Sequence, residues 1–182
     1  MVYSGRAVEA ILKIGSRLQQ WSREPEPNIA VYNMFDLVTW EDRLFSNTIL
    51  LRLADAFKSD DKHIRVAVVK VFLSELNSRD RTKSKQYQGV LSKARVQNHH
   101  ELLTRVKVVL GGGDPEARAL ALILLGCWAH FAEGSAQIRY MILSSMLSSH
   151  ISEVSAVYIL FSSQNLIFYD NFSLCCPTGF SI

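Results

Sequence analysis

The sequence predicts an all-α protein, a stack of about four antiparallel helix pairs over residues 1–158 with a non-repeat tail at 159–182. Three observations carry this expectation. Apolar residues recur at the i, i+3, i+4, i+7 spacing that lines one face of a helix. Proline, glycine and short acidic or amide residues fall between those stretches, where they end one helix and cap the next. The second helices of successive pairs align with one another when set on their caps: Ile29, Ile64, Ala117 and Val154 hold similar places, 35, 53 and 37 residues apart. A two-helix unit with a period of about 35 to 47 residues is the mark of HEAT and armadillo solenoids.

The first helix carries Val8, Ile11, Leu12, Ile14 and Leu18 on its apolar face and ends before WSREPEPN. Pro25 and Pro27 there remove backbone donors and push the preceding residues out of helical geometry. Asn28 then caps a second helix through Ile29, Val31, Tyr32, Phe35, Leu37 and Val38. A third begins at a Ser46-Asn47 cap and turns Ile49, Leu50, Leu53, Ala54 and Phe57 inward, leaving Arg52, Asp55 and Lys58 outward. Ser59, Asp60 and Asp61 break it and cap a fourth, with Ile64, Ala67, Val68, Val71 and Phe72 inward. The acidic pair there meets the positive end of the helix dipole.

Past Leu76 the sequence turns polar and basic. The insertion at about 78–100 reads as an exposed loop, or as a marginal helix from Tyr87 to Val96. Periodicity returns with Leu102, Leu103, Val106, Val109 and Leu110 and stops at Gly111-Gly112-Gly113, where glycine permits left-handed closing geometry. Asp114 and Pro115 start the next helix as N-cap and first-turn proline. Its body, EARALALILLGCWAHF, is apolar nearly all round and is expected to be buried on most sides. A last pair follows at 137–147 and about 154–160.

Length and composition fit one domain: 182 residues, 48% hydrophobic, net charge +3. Cys127, Cys175 and Cys176 are too few and too clustered to staple a fold, which favours a reducing compartment. Glu9, Lys13 and Arg17 interrupt the apolar stretches that a secretory signal needs, and Glu9 and Glu24 count against a mitochondrial presequence. The tail is too short and too often interrupted by polar residues for a membrane span. It also lacks the polar outer face of a terminal repeat, so it reads as the end of a truncated or alternatively spliced product. That reading expects Val154, Val157 and the Phe-rich tail to be partly uncovered.

Catalytic chemistry finds no constellation. The triple glycine follows a helix and precedes Asp-Pro, whereas a phosphate cradle follows a strand and precedes Lys-Ser or Lys-Thr. No Gly-x-Ser-x-Gly elbow occurs. Glu41-Asp42 and Asp60-Asp61 sit at helix boundaries, where capping explains them. Cys127 and His130 share a helical face without a paired CxxC or HxxxH, so packing explains them better than metal ligation, and His99-His100 reads as an exposed helix start. Neither catalytic residues, a metal site, a cofactor nor a small-molecule substrate is expected. The candidate contact residues are Arg79, Arg81, Lys83, Lys85, Lys93 and Arg95, opposed only by Asp80. Such a segment binds RNA or an acidic partner by counterion release, with Tyr87 placed for stacking. A solvated loop between helices is the competing reading and the favoured one.

The blocks ILLRLADAF (49–57), IRVAVVKVF (64–72) and DPEARALALILLGCWA (114–129), in this order and with a basic segment between, resemble the N-terminal α-solenoid of the Integrator complex subunit 7 family, particularly its plant form. The resemblance covers about residues 8–157. It implies a nuclear, non-catalytic scaffold subunit of a complex that associates with RNA polymerase II, processes the 3′ ends of small nuclear RNAs and attenuates transcription. It implies other Integrator subunits as partners and carries no catalytic residue over. A generic helical-repeat adaptor, with a basic loop touching RNA or an acidic partner, is the alternative. The DDKHIRVAVVKVF and GDPEARALALILL stretches also share Asp61 with Asp114 and Arg65 with Arg118. In HEAT-like units this aspartate and arginine bridge adjacent turns, a structural pairing.

Overall fold

The computed structural model describes residues 2–22, 40–77, 96, 98–132 and 134–162. They hold eight helical segments and, among the described residues, no strand. We number them α1 (Val2–Ser22), α2 (Trp40–Phe57), α3 (Lys62–Asn77), α4 (His99–Leu110), α5 (Pro115–Cys127), α6 (Ala129–Ala132), α7 (Ala136–Met146) and α8 (Ile151–Ser162). The chain divides into two compact units, Met1–Val106 and Lys107–Ile182, and the division falls inside α4.

In the first unit, α3 packs on both α1 and α2. Ile11, Gly15 and Leu18 bury one stripe of α1, while Leu12 faces outward at 43% exposure, because it lies off the face that Ile11 and Leu18 share. Along the α1–α3 contact the partners advance together. The Ser4 hydroxyl bonds the Asp61 carboxylate, Gly15 lies against Val71, and Gln19 Nε2 donates to Ser74 Oγ. The two helices therefore run parallel. The expected second helix, from Asn28 to Val38, lies outside the described residues.

Helix α2 begins at Trp40, several residues before the Ser46-Asn47 cap that the sequence suggests. Asn47 is inside the helix and buried, and its Oδ1 accepts from Asn98 N at 3.4 Å. A residue type that favours caps is thus spent on a tertiary contact. Leu50, Leu53, Ala54 and Phe57 form the buried stripe. The turn at Ser59, Asp60 and Asp61 behaves as expected: Asp61 Oδ1 accepts from His63 N at 2.8 Å. Ala67, Val68, Val71 and Phe72 are buried as the pattern requires; Val69 joins them and Ile64 is half-buried.

In the second unit, α5 packs on α8 and α8 on α7. Asp114 is the N-cap of α5 in extended geometry, accepting from Glu116 N at 3.0 Å, with Pro115 in the first turn. Gly111 and Gly112 close the preceding helix through bonds to Lys107 O (2.9 Å) and Val109 O (3.0 Å). Neither has left-handed backbone, contrary to the expectation for this glycine run. The glycine requirement is steric at Gly112, where a Cβ would stand 3.1 Å from Val109 O. Helix α5 is buried on most sides, with Ala117, Ala121, Leu122, Leu124 and Leu125 in the core. It stops at Cys127 because the Trp128 N–H is shared between Leu124 O and Leu125 O, tightening the turn, and α6 restarts at Ala129. Trp128 is fully buried. Ser135 caps α7 by accepting from Ile138 N. Val157 is buried, contrary to expectation, since it lies on the α8 face shared with buried Ala156 and Glu153, while Val154 is open.

Three helix-to-helix connections, residues 58–61, 111–114 and 147–150, are each four residues long, the length range of αα-hairpins. No described helix is long and apolar enough to cross a membrane.

Two glycines on α1 separate packing from propensity. A Cβ at Gly15 would meet Val71 Cγ2 at 2.6 Å, whereas one at Gly5 would meet nothing within 4 Å. Gly15→Ala is expected to destabilise by about 1–3 kcal/mol through overpacking, and Gly5→Ala to stabilise by about 0.5–1 kcal/mol through helix propensity. Thermal unfolding of the two variants checks both signs.

Candidate functional site

Arg79, Arg81, Lys83, Lys85, Lys93 and Arg95 all lie outside the described residues. The chain on the far side of that segment is anchored. Val96 is fully buried, Asn98 N donates to Asn47 Oδ1, and Asn98 O accepts from Glu101 N at 3.1 Å and Leu102 N at 3.2 Å. Helix α4 thus starts from a fixed point, with His99 half-buried and His100 exposed.

Two arginines, Arg105 and Arg118, clamp helices to their neighbours. In the first unit Arg105 donates from Nη1 to Leu51 O (3.0 Å) and Asp55 Oδ2 (2.5 Å), and from Nε to Glu101 Oε1 (3.1 Å). One guanidinium therefore holds its own helix and the C-terminal half of α2. Because Asn98 pairs with Asn47, and Arg105 with Leu51 and Asp55, α2 and α4 also run parallel. Asp55 is half-buried and doubly paired, where an outward position was expected. The Lys58 ammonium's hydrogen bond holds its carboxyl below the ordinary value, with Arg105 and Arg52 adding to the effect against a desolvation penalty.

In the second unit Arg118 donates to Glu153 Oε1 from Nε (3.1 Å) and Nη2 (2.5 Å), and to Gly112 O from Nη1 (2.9 Å). Glu153 is buried. The two residues lie in the first turns of α5 and α8, so these helices start at the same end. The shared aspartates and arginines take equivalent backbone places: Asp61 O accepts from Arg65 N (3.2 Å) and Asp114 O from Arg118 N (3.0 Å). The side chains do not pair with those aspartates. Each aspartate caps its own helix. Arg65 reaches Asp60 at 3.6 Å, and Arg118 reaches forward to Glu153.

Beside this pair lies an open cleft of about 280 Å³, lined by Leu110, Arg118, Met141, Ser144, Ser145, Ser148 and Glu153. Its two charges are spent on each other and on the Gly112 carbonyl, and Ser144 and Ser145 both donate to Met141 O. Its lining holds the hydroxyls of Ser144, Ser145 and Ser148. Cys127 is buried and unbridged, and no group of three His, Cys, Asp or Glu among the described residues is placed to hold a metal ion.

The clamp residues were only half legible. Glu101 and Arg105 are spaced i, i+4, as for a helical ion pair, and Glu153 is the lone charge in the apolar run ISEVSAVYILF. Neither signal names the partner on another helix.

The family model described as "Integrator complex subunit 7, N-terminal" matches residues 43–164. The chain belongs to the Integrator complex subunit 7 family. The matched stretch runs from α2 through α8, so it contains both clamps. The Integrator complex subunit 7 homolog of Dictyostelium discoideum is 27% identical over 117 residues, which are 64% of this chain and 10% of the relative. The chain thus aligns with about a tenth of the length of that Integrator subunit 7 relative. No solved structure matches it significantly.

Replacing Arg118 by methionine leaves the Glu153 carboxylate buried without its cation, and is expected to destabilise by at least about 2 kcal/mol. Glu153→Leu in the same chain should recover much of the loss, and a double-mutant cycle by urea unfolding measures the coupling. Asp55 sets a pH dependence: with its folded-state value lowered from 3.8, its contribution is present above that pH and lost as acid protonates it. Asp55→Asn is expected to flatten the fall in stability below about pH 4, as read by thermal unfolding across a pH series.

Proposed function

We propose that this chain is a non-catalytic scaffold element of the Integrator complex, acting in the nucleus in small nuclear RNA 3′-end processing and in attenuation of RNA polymerase II transcription. The observation that supports it is the family match over residues 43–164, together with helices clamped in parallel to like helices. That stacking is the habit of HEAT and armadillo-type repeats, to which we assign each unit. Its partners are other Integrator subunits and, through them, polymerase II. A repeat scaffold works by holding a surface steady, and the charges of this one are placed to hold helices in register.

The basic segment, with Arg79, Arg81, Lys83, Lys85, Lys93 and Arg95, serves in this reading as a loop contacting RNA or an acidic partner surface by counterion release. The sequence places these charges within one insertion, and the chain just past Arg95 is pinned through Val96 and Asn98.

Affinity purification of the tagged chain from nuclear extract is expected to bring down Integrator subunits and polymerase II. Their absence alongside a folded, expressed chain would reject the scaffold role. Changing the six basic residues to glutamine should weaken binding to a single-stranded RNA probe and flatten its salt dependence. Binding that is already absent, or indifferent to salt, would reject the RNA-contacting loop.

A further inference from the structure

The two arginine clamps differ in how they use their carboxylate. In the first unit both oxygens of Asp55 are engaged, Oδ2 by Arg105 at 2.5 Å and Oδ1 by the Lys58 ammonium at 2.8 Å. In the second unit Oε1 of Glu153 takes both Arg118 bonds, and Oε2 accepts from no group among the described residues. Glu153 is only 3% exposed, yet Oε2 keeps access to solvent. The open space that Glu153 lines is the cleft beside the Arg118 pair. An oxygen of a buried carboxylate that lacks a donor is costly, so the cleft is set to take one. The hydroxyls around it are acceptors as well. Ser144 and Ser145 commit their hydrogens to Met141 O at 2.9 Å, which leaves their oxygens to receive a donor. Ser148 Oγ accepts from His150 N at 3.2 Å and keeps a second lone pair. Arg118 is already matched by Glu153, so an anion entering here would meet a carboxylate and no spare cation.

We propose that this cleft receives the side chain of a lysine presented by a partner protein, its ammonium bonded to Glu153 Oε2 and to serine oxygens of the lining. The ammonium then stands on Glu153 as Lys58 stands on Asp55, and one carboxylate bridges two cations in each unit. The three N–H groups of an ammonium suit single oxygens spread along a wall, and a methylene stem packs on Leu110 and Met141. A guanidinium seeks both oxygens of one carboxylate, and here Arg118 holds one of them. The volume of about 280 Å³ lies under the roughly 300–1,000 Å³ of small-molecule sites and fits one long side chain. The inference adds a recognition chemistry to the scaffold reading and rests on it only in taking the ligand from a protein.

The test titrates the isotopically labelled full chain with Nα-acetyl-lysine methylamide and follows backbone amide shifts by NMR. Saturable shifts at Ser144, Ser145, Ser148 and Glu153 are expected, with binding weakened at least tenfold when the probe's ammonium is acetylated. Glu153→Gln should weaken binding as much, but it also loosens the clamp. Ser144→Leu is therefore the second variant, a larger side chain at an exposed position that obstructs the cleft without touching the Arg118 pair. It should keep the parent's unfolding midpoint and bind the probe at least fivefold more weakly. No saturation by about 10 mM probe, equal binding of the acetylated probe, or binding indifferent to Ser144→Leu would overturn the inference. So would self-association that Ser144→Leu abolishes in light scattering, since a lysine of a second copy would then fill the cleft. Recovery of Integrator subunits by a chain that does not bind the probe strikes this inference and leaves the scaffold reading standing, and the reverse result does the opposite.

Discussion

The contact between Arg118 and Glu153 sets the geometry of the second unit. Two guanidinium N–H groups share one carboxylate oxygen, and a third bonds the Gly112 carbonyl in the turn before α5. A single planar group thereby fixes a turn, the start of α5 and the start of α8. The carboxylate is buried, so removing either partner alone would strand a charge away from water. The buried alanine and leucine side chains of α5 supply the cohesion of its contact with α8. The ion pair adds a directional constraint on register, because its hydrogen bonds are met in one arrangement.

The first unit reaches the same end with different residues. Arg105 spans α4 and the C-terminal half of α2, and Asn47 fixes the other end of that contact. Helix α1 needs no clamp of this strength, since Gly15 lets Val71 approach its backbone and Gln19 bonds Ser74. In the first unit α1 thus lies parallel to α3, and α2 parallel to α4.

Much of the architecture was legible in the residues. The cap at Asp114 with Pro115, the cap at Asp61, and the buried stripes of α2, α4 and α5 follow from local rules that act within one or two turns. Asn47, Asp55 and Glu153 were not legible as partners, because each finds its hydrogen-bonding group about 35 to 51 residues away. The same local logic misplaced the start of α2. A buried Asn47 gains more from Asn98 than from capping its own helix, and no local signal reveals that exchange.

By itself the sequence determined which of the described stretches are helical, where most of those stop, and which family the pattern resembles. Those properties rest on backbone propensity, capping and periodic burial, all of which act over a few residues. Only the tertiary structure decided that α1 runs beside α3, that Arg118 reaches forward rather than back to its own aspartate, and that the face of α8 through Val154 and Tyr158 stays open. Helices present similar apolar faces to many neighbours. Which two meet, and in what register, is settled where buried charges and close backbone approaches admit one arrangement.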